Sequence, residues 1–167
     1  TLLQRVRQDG NLRDRALLEL LAGTGLRLRE IGELRIRDLR LAQSAATLAV
    51  PGHEPTPARR LALSVRARVA LQEYVDSRRP LASDDPLFPN NRGEPLSPYA
   101  AWYTVRKYAR RIGQKDLTAR QLRLAVITNL ARDRDLDLAE IAAQLGFRRP
   151  GSLLQYMLND RREEGHD

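Results

Sequence analysis

A helix-capping residue stands immediately before an apolar helical run at five points in the chain: Asn11, Ser64, Ser97, Thr118 and Asp137. A side-chain oxygen at that position accepts from backbone N–H groups that the first helical turn leaves unpaired. Capping repeated this often restricts the chain to a mainly helical fold. Asn11 opens a helix to about Gly23, with Leu12, Ala16, Leu17, Leu20 and Leu21 on one face. Gly23-Thr24-Gly25 breaks it, and a short helix follows around Leu28 to Leu34. Ser64 opens a helix to about Arg79 with Val65, Val69, Leu71 and Val75 as its apolar stripe. Ser97 caps a helix to about Ile112, Thr118 one to about Arg132, and Asp137 one ending at Gly146. A last helical stretch runs from about Gly151 to Asn159.

One interruption is not helical. Ala45 to Val50 and Arg59 to Leu63 read as strands either side of Pro51-Gly52-His53-Glu54-Pro55-Thr56-Pro57, a turn dense in chain breakers. They predict an antiparallel hairpin. Pro80 to Pro98 reads as a long loop with a short extended pair at Leu87–Phe88 and Pro95–Leu96. The expected fold class is therefore mainly α with a small antiparallel β-sheet, and the 167 residues fit one domain.

Composition excludes several chemistries. Cysteine is absent, which removes disulfides, thiolate metal sites and cysteine nucleophiles. The two histidines, His53 and His166, are too few for a multi-histidine metal site, so no metal is expected. No apolar run approaches the ~18 residues of a membrane span, and no charged-then-apolar leader opens the chain. A cytoplasmic protein without a membrane partner is the expectation.

The charge is positive and uneven. Residues 1–50 carry 9 basic and 6 acidic side chains, residues 51–111 carry 11 and 6, and residues 112–167 carry 9 and 9, for a net +8. Arginine supplies 27 of the 29 cations, and its planar fork suits phosphate. A polyanion partner is the natural reading.

Three segments carry candidate chemistry. In Thr24-Gly25-Leu26-Arg27, an arginine sits at a glycine-broken helix junction, where free N–H groups and the helix dipole favour an anion. In Thr118-Ala119-Arg120-Gln121-Leu122-Arg123, two arginines three apart share a helix face and repel unless an anion or carboxylate lies between them. In Leu145-Gly146-Phe147 through Leu153-Leu154-Gln155-Tyr156, a tyrosine closes the segment; it is a weak nucleophile until its phenolate is stabilised. Taken singly, these also fit a helix stop, a solvated basic face and a core tyrosine.

In this order, and with a hairpin between the first two, the segments resemble the boxes of the tyrosine recombinase (phage integrase) catalytic domain. The resemblance covers nearly the whole chain. It implies that Arg27 and Arg123 bind the scissile phosphate and that Tyr156 is the nucleophile. It places Arg120 where the family has the histidine of His-x-x-Arg. It also implies a 3′-phosphotyrosyl link to double-stranded DNA, with no cofactor and no metal. Departures accompany it. The family's hairpin lysine is expected near Gly52-His53, where no lysine occurs, and His53 is the acid on offer, histidine being the usual proton donor near neutral pH. Phe147 stands where the family has His or Trp, and Leu124 where it often has His.

Two rivals remain at this point. One is a recombinase-fold protein that holds DNA without cutting it. The other is a helix-turn-helix regulator built on Leu138 to Phe147 followed by Ser152-Leu153. A recombinase fold brings Arg27, Arg120, Arg123 and Tyr156 together, with His53 at the rim; another fold scatters them. The family's N-terminal DNA-clamping domain is expected to be absent from this chain, which starts just before the first helix. The short, charged stretch Asp160-Arg161-Arg162-Glu163-Glu164 after Tyr156 suggests a monomer in free solution, with self-assembly on DNA.

Overall fold

The computed structural model describes residues 1–132 and 137–163, with side chains through residue 159. The helices are α1 (Leu2–Asp9), α2 (Leu12–Thr24), α3 (Leu28–Glu33), α4 (Val65–Asp76), α5 (Pro98–Arg111), α6 (Ala119–Ala131), α7 (Leu138–Gln144) and α8 (Pro150–Glu163). The strands are β1 (Leu39–Leu41), β2 (Ala46–Val50) and β3 (Arg59–Ala62). The fold is mainly α with one small antiparallel sheet, as the capping pattern predicts.

Each expected cap is formed. Asn11, Ser64, Ser97, Thr118 and Asp137 accept from the backbone N–H groups of Asp14, Ala67, Ala100, Gln121 and Glu140. The central hairpin is also present, with Leu48 opposite Leu61 and Val50 opposite Arg59. Along β2, Ala46, Leu48 and Val50 point into the core. Period-2 alternation then puts Leu61 and Arg59 on the inward face of β3.

Four features differ from the sequence reading. Helix α1 exists, closed by a Thr1–Gln4 capping box. It buries Val6 and packs Leu2 and Leu3 against the core, a short amphipathic pattern that the sequence reading passed over. Strand β1 adds a third strand to the hairpin and is three residues long, too short for alternation to show. Helix α2 is buried on all sides rather than on one face, including Asp14 and Glu19, because α1, α4, α5 and α6 surround it. On α4 the buried face is Ala67, Ala70, Leu71, Tyr74 and Val75, and Val65 is 69% exposed. Tyr74 stacks on Phe88 there, 5.5 Å between ring centres, and that large contact sets the rotation of the helix.

The molecule has two apolar centres. The larger gathers Leu17, Leu18, Leu20, Ile31, Leu34, Leu48, Leu61, Leu71, Phe88 and Tyr108 around α2 and the sheet. The smaller lies between α6, α7 and α8 and contains Ile127, Ile141, Ala142, Leu145 and Leu153. Helix α6 bridges them, with Leu122 against the first and Ile127 inside the second. The seam closes at Gly25, the left-handed cap of α2 (φ 64°). A Cβ there would lie 2.7 Å from Leu145 Cδ2 and 3.3 Å from Val126 Cγ1, so glycine is needed both for its backbone and for its size. Among the described residues no helix is long and apolar enough to cross a membrane.

Candidate active site

The seam between the two centres opens into a cleft of about 390 Å³ lined by Arg27, Arg29, Arg120, Arg123 and Tyr156, with Gly25 and Leu122 among its apolar walls. Arg27 arrives from the start of α3, Arg120 and Arg123 from α6, and Tyr156 from α8. Three distant segments of the chain therefore meet at one place.

Arg27 precedes α3 in extended conformation, and its backbone N–H donates to Glu30 Oε2 at 2.7 Å. Its Nη1 donates to Thr56 Oγ1 in the hairpin turn, and Arg29 Nη2 reaches the same oxygen at 3.3 Å. Burial first, and the charges of Arg29 and Arg59 next, push the pKa of Arg27 down, against the opposing pull of Glu30.

Arg123 is the most buried cation of the cleft, 7% exposed. Its Nη2 donates to the Leu145 carbonyl at 2.7 Å, and its buried Nε has no hydrogen-bond partner. Burial, and then the charge of Arg27, bring its pKa down to about 10, so it stays protonated at neutral pH. A buried guanidinium with an unused donor, beside a second guanidinium, is a site that an anion would complete.

Tyr156 is half-buried against the smaller apolar centre. Arg120 lies over its ring at 4.6 Å and donates from Nη2 to its backbone carbonyl at 3.0 Å. Arg123 lies 5.6 Å from the same ring. Two guanidiniums therefore face the ring that carries the candidate nucleophile.

Phe147 fills the remaining wall. Its ring lies 5.6 Å from the Arg27 guanidinium, 5.2 Å from that of Arg123, and 5.6 Å from the Tyr156 ring. It supplies shape and a π-face where a polar side chain would supply a hydrogen bond.

His53 is not among the residues that line the cleft. Its backbone pairs with Thr56 across the turn, 2.9 Å from His53 N to Thr56 O. Its Nδ1 lies 3.1 Å from Glu33 Oε2, within ion-pair reach but off the hydrogen-bond angle, so neither ring nitrogen has a hydrogen-bond partner. The ring thus faces a carboxylate of α3.

Sequence reasoning passed over Thr56, Glu30 and Arg59. Glu30 is fully buried and Arg59 nearly so, and they form a bidentate pair at 2.7 and 3.1 Å. Burial alone would raise the Glu30 carboxyl, but the Arg59 hydrogen bonds, the Arg27 N–H and the nearby charges hold it below its ordinary value. A signal for Arg59 was present: strand alternation sets it on the face of Leu61. Thr56 left none, since a threonine in a proline-rich turn is ordinary.

Gly146 joins this site to the hairpin. It has φ +74°, and a Cβ there would lie 2.8 Å from Thr56 Cγ2 and 2.9 Å from Arg59 Nη1. Gly146→Ala is expected to destabilise the fold by roughly 2–4 kcal/mol, from left-handed strain plus overpacking. Urea unfolding measures this, and a loss under about 0.5 kcal/mol would contradict the close approach.

A model of the phage integrase family matches residues 1–163. The chain is 36% identical over 140 residues to a tyrosine recombinase XerC from Herpetosiphon aurantiacus, covering 81% of this chain and 44% of that protein. It is 33% identical over 140 residues to a tyrosine recombinase XerA from Pyrococcus horikoshii, covering 81% and 47%. In fold it is similar to a crystal structure of XerA recombinase, with a TM-score of 0.80 at 24% identity over 99% of this chain and 60% of that one. A XerH site-specific recombinase bound to palindromic difH substrate, in a post-cleavage complex, gives 0.74 at 25% identity over 91% and 44%. The chain spans less than half the length of the XerC and XerA relatives it matches. These matches set aside the helix-turn-helix regulator: α7 and α8 pack their apolar faces into the smaller centre beside Phe147 and Tyr156. Both the ordered segments and the full-length family match lead to one assignment: the chain belongs to the phage integrase family.

Proposed function

We propose that this chain carries the strand-breaking and strand-joining chemistry of a site-specific DNA recombinase, working through a 3′-phosphotyrosyl link at Tyr156. The convergence of Arg27, Arg120, Arg123 and Tyr156 on one cleft supports this reading. Arg27 and Arg123 are like charges in one cleft, and the buried Nε of Arg123 has no hydrogen-bond partner; such a site calls for an anion, and a DNA phosphodiester supplies one. The arginines stabilise the charge that builds on the pentacoordinate phosphorus. Tyr156 Oη forms the new P–O bond while the bond to the 5′-oxygen breaks. The phenol loses one proton and the 5′-oxygen takes one up, so protons balance, and the reverse attack restores the strand.

No histidine, lysine or carboxylate lines the cleft among the described residues. The proton for the leaving oxygen then comes from an arginine or from solvent. A positioned acid is typically worth ~10²–10⁴-fold, so turnover is expected to be slow. The free chain is a monomer in this reading, and copies assemble on DNA. The XerH relative is bound to a palindromic site, and a palindrome offers the same half-site twice.

A suicide duplex tests the proposal. The wild-type chain, mixed with nicked DNA from its own genome, is expected to yield a covalent adduct that survives denaturing gel electrophoresis. No adduct on any nicked or intact substrate would sink the catalytic reading. A protein that holds DNA without cutting it would then stand, and Phe147 favours that second reading by placing no hydrogen-bonding atom between Arg27 and Arg123.

A further inference from the structure

We propose that Arg59 is a positioning residue, which locks Arg27 and Arg123 into the one arrangement that lets both grip the same phosphate. The proposal rests on the reading above and concerns a residue outside the cleft.

Arg59 spends its donors on two different elements. Nη1 and Nη2 donate to Glu30 Oε1 and Oε2, on α3, at 2.7 and 3.1 Å. Nε donates to the carbonyl of Gln144, the last residue of α7, at 2.8 Å. Its own backbone sits in β3, so three elements meet at one guanidinium.

Each link leads to a cleft arginine. The Glu30 oxygen that Arg59 Nη2 holds also accepts the backbone N–H of Arg27. One residue beyond Gln144, the Leu145 carbonyl accepts Arg123 Nη2. An unbroken path therefore runs from Arg27 through Glu30, Arg59 and the α7 end to Arg123. Gly146, the next residue, packs directly on the Arg59 guanidinium.

The charge arrangement has the same sense. Glu30 is buried among Arg27, Arg59 and Arg123. Arg59 occupies both of its oxygens. The guanidiniums of Arg27 and Arg123 donate instead to Thr56 Oγ1 and to the Leu145 carbonyl, and Arg123 keeps its Nε donor unused. A buried ion pair is weak evidence for stability, since an apolar pair often does as well. The fork geometry, by contrast, is specific: lysine keeps the charge but has no planar fork to hold both carboxylate oxygens side by side while a third N–H, on the stem side, meets the carbonyl.

The test uses the full chain with Arg59→Lys, which keeps the charge, and Glu30→Gln, which keeps the shape. Inorganic phosphate is titrated while the Nε–H signals of Arg27 and Arg123 are followed by NMR. In the wild type both signals are expected to move with one dissociation constant. In either variant they are expected to separate by at least about fivefold while the spectrum stays dispersed. In parallel, the single-turnover rate of adduct formation at saturating nicked DNA is expected to fall roughly 10–10²-fold, with the final adduct yield kept. A purely structural residue would lower the melting temperature and the yield but leave the rate of the folded fraction, and the shared phosphate constant, unchanged. That result overturns the proposal. If the wild type forms no adduct, the catalytic reading fails by itself, and the phosphate titration alone decides the role of Arg59. If Arg59→Lys does not fold, Glu30→Gln decides it by the same two measurements.

Discussion

Tyr156→Phe is expected to remove every covalent protein–DNA adduct and to leave DNA affinity within about twofold of wild type. The substitution deletes one oxygen. The ring remains, with its tilted contact to Phe147 and the guanidiniums of Arg120 and Arg123 over its face. The backbone carbonyl still accepts from Arg120. The packing against the smaller apolar centre is retained, so stability should change by less than about 1 kcal/mol. Affinity should hold because phosphate contacts come from arginines, and one hydroxyl adds little to a salt-sensitive, electrostatic association. Denaturing gels of labelled nicked duplex read the adduct, and fluorescence anisotropy on the same duplex reads binding. An adduct that persists would move the nucleophile elsewhere. A tenfold loss of binding would mean that the hydroxyl holds DNA rather than attacking it.

Arg123→Ala is expected to lower adduct formation by at least about 10²–10³-fold, the usual effect of deleting a donor aimed at transition-state charge. Binding should weaken by a smaller factor, similar on all sequences, and the salt slope should fall by about one. Its effect on stability is the more telling part, because two terms oppose. Deleting the side chain leaves the Leu145 carbonyl without its donor, at a cost of roughly 1–3 kcal/mol. It also removes a buried cation that Arg27 repels and whose Nε has no partner. The net change in folding free energy should stay within about 2 kcal/mol, so activity falls in a protein that still folds. Arg123→Lys should not recover activity, since an ammonium is a single point charge without the planar fork that grips a phosphate at two oxygens. A collapse of the fold in either variant would show that Arg123 is held for structure.

The caps, the apolar runs and the hairpin were legible in the sequence because each is decided within a few residues. Asn11 caps α2 by reaching Asp14, and Ser97 caps α5 by reaching Ala100. The order of Arg27, Arg120, Arg123 and Tyr156 was legible too, through the resemblance of their flanking boxes to the family. Helix α1 was passed over because its apolar pattern is only Leu2, Leu3 and Val6, and β1 because a strand of three residues is too short for alternation.

Other features belonged to the tertiary structure. The Val65 to Val75 stripe gave the right helix and, in Leu71 and Val75, part of its buried face; Val65 is exposed, and Tyr74, stacked on Phe88 14 residues along the chain, is buried instead. His53 stands in the expected turn, yet its ring faces Glu33, 20 residues away. Arg59 finds Glu30 across 29 residues and the Gln144 carbonyl across 85. Such partners are chosen when the two apolar centres close and water is expelled. A buried arginine must then take whatever acceptor the packing brings within reach, and no rule of local periodicity names that acceptor in advance.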